Sequence, residues 1–485
     1  MAALGLVLSG PVAARADLVT ASVSATPAGQ SMPPGFVGVS VEYRALHQYT
    51  GRDPRAVNPV LVALLKALAP GQSPVVRIGG DSSDGSWWPI RGMIPPGGIY
   101  YPLTPGWMRT TQALAADLGA KLILGINLAA GRPAIAAAEG RALLAGIGRQ
   151  YIDAFEIGNE PDLYGAFPWY RDRRGHVYRR RTPRYSLADY TNQFTQWSRA
   201  LPQMPLAGPA AANPNWMGKL GRFISAEPKL KLVTYHRYPL RACVKDPASP
   251  QFATIPNLLD DTSSSGLAKG LASYVAAAHS HGLPFRVAEI NSASCEGAAG
   301  VSDTFASALW ALDTMFNMAS VGVDGVNFHM LPASHYELFT VSHDAAGDWQ
   351  AFVHPEYYGL LMFAQAFPPG AQLLPSTAPS GPVKVWATLG ADGVTRVVVI
   401  NKDPNAAHDV QLVLSGGQTQ GTIETLSAPG ASSTTGVTLG GETFGAETTT
   451  GTLPAPPVLS PISASAGSYT LSLPAGSAAL LSTSG

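Results

Sequence analysis

The stretch "DAFEIGNEPDLY", residues 153–164, decides the reading of this chain. It opens apolar and β-prone, then breaks into Gly158-Asn159-Glu160-Pro161-Asp162. Proline has no amide hydrogen and disfavours helical backbone at the residue before it, so Glu160 is blocked from helix. An Asn-Glu pair is thereby set at the mouth of a buried strand, a setting that suits a reacting carboxylate better than a structural one. In both directions from this point the same unit recurs: a short apolar strand, a polar or Gly-rich loop, an amphipathic helix. The strands are "FVGVSVE" (36–42), "VVRIGG" (75–80), "KLILGIN" (121–127), "DAFEIGN" (153–159), "PLAGPA" (205–210), "LKLVTYH" (230–236), "FRVAEI" (285–290) and "GVNFHM" (325–330). Helices are expected near 58–69, 106–118, 134–148, 186–200, 215–226, 265–281, 303–320 and 355–367.

These strands are apolar runs rather than alternating ones, as parallel strands buried on both faces require. Eight such units between residues 36 and 367 predict an α/β fold, a (β/α)8 TIM barrel. The rival, a doubly wound open sheet, wants a Gly-rich phosphate loop after the first strand, and "EYRALHQYTGRDP" (42–54) is not one. Beyond about residue 370 the texture changes to short alternating strands: "VKVWATLG", "TRVVVINK", "HDVQLVLS", "SYTLSLP" and "AALLSTS", parted by Gly-rich turns. They predict a C-terminal antiparallel β-sandwich domain. "LVTASVSA" (18–25) alternates too and is expected to add an N-terminal strand to it. The expected organisation is a signal peptide at 1–16, the N-terminal strand within 17–33, the barrel at 34–369 and the sandwich at 370–485, the last two packed together.

Bulk properties narrow the function. Lys+Arg and Asp+Glu balance at 32 each, so no net field draws the protein to nucleic acid or an acidic membrane. Charged residues make up 13 % of the chain, so the surface leans on Ser, Thr, Gly and Pro, a common look for exported proteins. The apolar run ending in Ala14-Arg15-Ala16 reads as a leader with its cleavage site, and the expected location is secreted or periplasmic. No apolar run is long enough for a membrane span. Zinc-type spacings are absent, and neither a metal nor a cofactor is expected.

In a (β/α)8 barrel reactive groups sit at the C-terminal ends of the strands. Here the fourth strand ends at Asn159-Glu160 and the seventh at Glu289. Glu42, Asp81, Tyr235-His236 and His329 end the first, second, sixth and eighth. Burying so many unpaired polar groups would cost kcal/mol each, so they face a wet cleft. Two carboxylates on the fourth and seventh strands face each other across a barrel mouth, the arrangement for acid/base and nucleophilic work on a glycosidic bond. The nucleophile must stay ionised and needs hydrogen-bond donors, for which the Tyr235 hydroxyl on the neighbouring strand is the candidate. The competing structural reading makes Glu289 a buried partner of Arg77. His236 and His329 read as hydrogen-bonded core histidines rather than metal ligands.

The Asn-Glu and Glu strand ends resemble the 4/7 superfamily of retaining (β/α)8 glycosidases. Within it "EIGNEPDLY" (156–164), "YHRYP" (235–239) and "GVSDTFASALWALD" (300–313) resemble glycoside hydrolase family 79, which holds β-glucuronidases and heparanases. The resemblance covers essentially the whole chain. It implies that Glu160 is the acid/base and Glu289 the nucleophile of a retaining β-glucuronidase. It implies that Asn159 contacts the sugar 2-hydroxyl and that Tyr235 holds the nucleophile. It further puts Glu42 and Asp81 at the closed end of the pocket, and Tyr336 with the His335 backbone near the glucuronate carboxylate. The partner would be a glucuronic-acid-containing oligosaccharide or glycoside. Animal heparanases carry a Tyr followed by glycines soon after the nucleophile; Ala293-Ser294-Cys295-Glu296-Gly297 has no aromatic and sits closer to the microbial β-glucuronidase branch. A heparanase-like endo-enzyme, another glycosidase of the superfamily, and a carbohydrate-binding protein on an inactive barrel are the alternatives.

Two features remain. Cys243 follows the sixth strand and Cys295 the seventh; adjacent strands bring both to one rim, and a disulfide is expected. "YRDRRGHVYRRRTPRY" (170–185) holds seven arginines between Arg171 and Arg184, either a solvated loop or an anionic subsite.

Overall fold

The computed structural model describes residues 17–483; the expected leader, residues 1–16, lies outside them. Eight parallel strands close into a barrel in chain order: Val37–Glu42, Val75–Gly79, Lys121–Ile126, Ile152–Ile157, Leu206–Ala211, Leu230–Arg237, Phe285–Ile290 and Gly325–Met330. The eighth strand pairs with the first, Val326 with Val37, and closes the ring. The helices form where the sequence places them, with two divided: the fifth unit runs as Pro214–Met217 and Leu220–Ala226, the sixth as Ser265–Lys269 and Ala272–His279. Their starts obey local chemistry. Asn58, Thr104 and Ser186 accept from the first free amides, and proline follows at once in two of the three.

Strand outer faces pack on the helices. The inner faces stack as layers. Val75, Ile123, Ala154, Ala207 and Leu232 fill one layer of the interior. Two positions nearer the strand ends the layer turns polar, with Arg77, Glu156 and Thr234 all fully buried.

The C-terminal domain is two stacked sheets. One contains Val383–Leu389, Thr395–Asn401, Ser477–Thr483 and Gln420–Ser427, all antiparallel. The other joins Asp17–Val23 to His408–Leu414 and Ser468–Leu473. The N-terminal strand runs parallel to His408–Leu414, the one parallel pair in an otherwise antiparallel sandwich among the described residues. The strand Thr395–Asn401 explains why barrel and sandwich form one body. Its alternate residues Val397 and Val399 lie in the sandwich core, while Val398 and Ile400 belong to the barrel's apolar cluster. An unbroken "VVVI" run thus reads as a sheet packed on both faces. The seam is fastened by Trp386, stacked on Phe316 and donating its indole N–H to Asp313, and by Lys402, which donates to the same buried carboxylate at 3.0 Å.

Candidate active site

The fourth strand ends at Ile157, and Gly158 turns the chain with φ +82°. Glu160 then takes a left-handed conformation, φ +47°, immediately before Pro161. Proline bars Glu160 from right-handed helix, and the left-handed well turns its side chain over the barrel mouth. Such backbone costs a non-glycine residue on the order of 1 kcal/mol and is commonest at functional sites. The Glu160 amide is tied to Ala210 O of the fifth strand at 2.9 Å, which fixes the turn.

Glu289 reaches the same cleft by a different device. Arg286, three residues earlier, is in the barrel interior, bonded to Asn327; strict alternation would then turn Glu289 outward. A bulge intervenes. The sixth strand pairs Tyr235 with Val287 and then His236 with Glu289, and the eighth pairs Val326 with Val287 and then Phe328 with Ile290. The extra residue re-aims Glu289 inward.

There Glu289 accepts from Arg77 Nη1 at 2.7 Å and from the Tyr238 hydroxyl at 2.9 Å. His329 Nδ1 lies 3.7 Å and His236 Nδ1 3.8 Å away. Burial alone would push the carboxyl up, but the fields of His329, His236 and Arg77 and the Tyr238 bond outweigh it and hold Glu289 well below the carboxylate range. Arg77 is the permanent member of that set. It is fully buried and uses its whole fork: Nε to Glu156 at 2.6 Å, Nη1 to Ser40 and Glu289, Nη2 to Asn159 Oδ1 at 2.8 Å.

Glu160 lives differently. Its side chain is 23 % exposed, and Oε1 is 3.1 Å from His236 Nδ1. Desolvation raises its pKa; the His236 contact lowers it; the negative charges of Glu289 and Asp81 raise it, and the net direction is up. Two carboxylates at one cleft are thus driven apart, one toward the anion and one toward the acid.

Asn159, 3 % exposed, is clamped between Arg77 and Asp81, donating Nδ2 to Asp81 Oδ1 at 3.4 Å. Glu42 accepts from the amides of Asp81 and Ser82 at 2.9 and 2.7 Å, capping the short helix Asp81–Ser83. Burial and the neighbouring Asp81 push Glu42 up to about 7. The Asp81 side chain is 77 % exposed at the rim.

Two expectations need correction. Tyr235 does not hold the nucleophile. Strand alternation points it outward, where its ring meets Tyr274 and its hydroxyl reaches Ala212 O at 3.4 Å. His236 and, two residues on, Tyr238 face the cleft instead, and Tyr238 makes the contact assigned to Tyr235. The His335 backbone amide is also spoken for, donating to Glu296 O at 2.9 Å because Cys295 and Glu296 both take positive φ and turn that carbonyl toward it. The His335 side chain is 49 % exposed and lies 3.8 Å from Asp303. Tyr336 is brought to the cleft: its ring is 4 % exposed, beside Tyr238 and His329.

Cys243 and Cys295 are joined, Cα atoms 5.9 Å apart, tying the loops after the sixth and seventh strands. Tyr238 is the member of the site that sequence reasoning missed, while Arg77 and His236 were read as structural partners only. A charged residue inside the apolar "VVRIGG" and the period of two from His236 were the available signals.

One ligand atom each from Glu160, His236 and Glu289 lie within 4.8 Å of one another. These residues fit a cation poorly. His236 Nδ1 is engaged with Glu160, and the Arg77 guanidinium occupies Glu289 Oε2. Among the described residues no other such group occurs.

A closed (β/α)8 barrel whose fourth and seventh strands deliver two glutamates to one cleft is the architecture of a glycoside hydrolase. Residues 385–480 match the model of the glycosyl hydrolase family 79 C-terminal beta domain. A β-glucuronidase of Neurospora crassa is 25 % identical over 448 residues, covering 82 % of this chain and 77 % of that protein. The 4-O-α-L-rhamnosyl-β-D-glucuronidase of Fusarium oxysporum shares the fold at a TM-score of 0.70 and 19 % identity, covering 95 % of this chain and 99 % of that one. A family 51 arabinofuranosidase of Xanthomonas axonopodis pv. citri superposes at 0.69 with 15 % identity, covering 97 % and 100 %. The C-terminal domain thus matches glycoside hydrolase family 79, and the chain as a whole is similar to a β-glucuronidase.

Proposed function

We propose that the protein is a retaining β-glucuronidase, with Glu289 as nucleophile and Glu160 as acid/base. The observation that supports this most is the opposed electrostatics of the pair. Glu289 sits on Arg77 and Tyr238, which favour the anion. Glu160 sits where burial and nearby carboxylates favour the acid. The 4.8 Å limit on the spacing of their ligand oxygens suits direct attack better than the roughly 6.5–9.5 Å that leaves room for an attacking water. In the first step Glu289 attacks the anomeric carbon while Glu160 protonates the departing oxygen. Esterification removes the negative charge of Glu289, one of the causes that raise Glu160, and Glu160 then ionises more readily and takes a proton from water. Asn159, oriented by Arg77, offers its amide to the 2-hydroxyl, and the sugar's other hydroxyls meet Glu42, which is buried, and Asp81, which is exposed at the rim. Tyr336 faces the glucuronate carboxylate. The expected substrate is a glycan or glycoside ending in β-linked glucuronate. The disulfide supports the exported reading, because cytosolic thiols are kept reduced.

The test compares p-nitrophenyl β-glucuronide with the matching glucoside and xyloside, and follows the first-formed anomer by NMR. Preference for the glucuronide, initial β product, and loss of roughly 10⁴-fold or more in Glu289→Gln are expected. Initial α product refutes retention, and preference for a neutral sugar refutes the substrate.

A further inference from the structure

Between the fourth barrel strand and the helix Leu187–Ala200 the chain makes a hairpin, Pro168–Arg171 paired with Val177–Arg179. It is docked onto the loop that follows the second strand. The Trp169 indole lies on Gly98 and the Tyr170 ring on Gly97, so closely that a Cβ at either glycine would come within 2.4 Å of the ring atoms. Tyr170 stacks on Tyr178 at 4.6 Å, planes 5° apart. The joint rim has an unusual surface. Of the eight exposed large apolar side chains described, Ile94, Tyr100, Phe167 and Tyr178 all lie on these two loops, and the rest are in the sandwich.

The rim is also cationic. Arg171, Arg173, Arg174 and Arg179 are exposed on the hairpin. Its one acid, Asp172, is used up by the turn, accepting from the amides of Arg174 and His176. Arg180, just past the hairpin, turns inward at 3.4 Å from the exposed Asp81 and 3.6 Å from the buried Asp84, which connects the hairpin to the loop after the second strand. Arg181 serves the fold instead, donating to Leu128 O, Ala129 O and Gln193. Flat aromatic faces stack on sugar rings, and guanidinium forks pair with carboxylates and sulfates.

We propose that this hairpin rim is a further glycan subsite, and that it takes an acidic oligosaccharide bearing carboxylate or sulfate groups beyond the glucuronate being cleaved. The inference rests on the β-glucuronidase reading and names the substrate class within it. A pocket built for one glucuronate alone has no use for four arginines on an aromatic wall outside it.

The experiment uses the triple variant Arg171→Ala/Arg173→Ala/Arg179→Ala, with its melting temperature checked against wild type. Four probes are turned over: p-nitrophenyl β-glucuronide, a glucuronate-capped neutral hexasaccharide, an oligoglucuronide hexasaccharide, and an O-sulfated glucuronate–hexosamine hexasaccharide. The variant is expected to raise KM about tenfold for the charged hexasaccharides, since exposed ion pairs each contribute modestly. KM for the aryl glucuronide and the neutral chain should stay within twofold. The charged hexasaccharide with the larger rise identifies carboxylate or sulfate as the preferred group. Equal effects on all four probes, or none on any, overturn the subsite. If wild type hydrolyses no glucuronide at all, the functional reading fails, and calorimetry of the two charged hexasaccharides against Glu289→Gln, with and without the triple change, still decides the subsite. Binding there that ignores the arginines overturns it.

Discussion

At the scale of the residue, Arg77 sets the character of the site. It holds Glu156, Glu289 and Asn159 at once, so the nucleophile's charge and the orientation of the 2-hydroxyl partner have a common origin. A buried ion pair is weak evidence for stability, because desolvating both partners offsets their attraction. Here the pair keeps a carboxylate ionised where burial would neutralise it, so the structural and catalytic readings of Glu289 describe one arrangement. Tyr238→Phe removes a charge-assisted hydrogen bond from Glu289 and should lower kcat on the aryl glucuronide by about 10–100-fold. Tyr235→Phe, whose hydroxyl faces away from the cleft, should change kcat less than threefold; a reversed order would reinstate Tyr235. The pH dependence follows from the same pair. Glu289 is held low, so the acid limb of kcat/KM lies below the usual carboxylate range. Glu160 must be protonated and its pKa is raised, so activity persists above the ordinary glutamate range and is lost as pH rises through the Glu160 value. His236→Gln removes a contact that lowers Glu160 and should move the alkaline limb to higher pH, while a downward move contradicts the assignment. Both glutamates and Asn159 were legible because strand ends are readable from apolar runs. Tyr238 was not, because the sequence of the sixth strand does not announce which of Tyr235 and His236 faces inward.

Among the elements, the loops after the sixth and seventh strands are held together covalently. The Cys243–Cys295 bond spans 52 residues of sequence, and constraining a loop of that size contributes on the order of 4 kcal/mol. Cys295 also begins the positive-φ pair whose carbonyl receives the His335 amide, beside Tyr336. Cys243→Ser/Cys295→Ser should therefore lower the melting temperature and raise KM for glucuronides more than it lowers kcat. A lower melting temperature with unchanged kinetics would make the bond purely structural. The eight strands and eight helical units were legible, with the strand bounds differing by one or two residues, because a buried parallel sheet writes itself as repeated apolar runs. The excursions were not. The hairpin at 168–179 has too few apolar residues to show a period, and its partner is a distant loop rather than a neighbour in sequence. The sandwich strand Gln420–Ser427 was missed because it buries Glu424 and leaves Ile423 half covered, the opposite of an alternating signal. The bulge before Glu289 adds one residue and has no compositional mark.

For the whole molecule, the seam between barrel and sandwich is the place to probe stability apart from chemistry. Asp313 on the helix Phe305–Ser320 is buried beneath Trp386 and Lys402 of the sandwich. Asp313→Ala leaves the Lys402 ammonium buried with its nearest partner gone, which should cost about 3–5 kcal/mol. The surviving folded enzyme should keep its KM, since the seam lies apart from the strand ends that carry the site. A large KM change with little loss of melting temperature would mean that the seam shapes the pocket. The two-layer plan was legible in the switch from apolar runs to alternation near residue 370. The parallel entry of the N-terminal strand was not, because alternation fixes which face is buried and says nothing of direction. That strand has a further consequence. Asp17–Val23 is made before the barrel, while its partner His408–Leu414 emerges only after the entire barrel. The barrel can close behind it in the meantime, leaving the sheet with an unfilled slot whose exposed hydrogen-bonding edge would accept any extended segment. Native folding is then a late, long-range docking event, in which a strand made before the barrel must find that slot ahead of a strand from a neighbouring molecule.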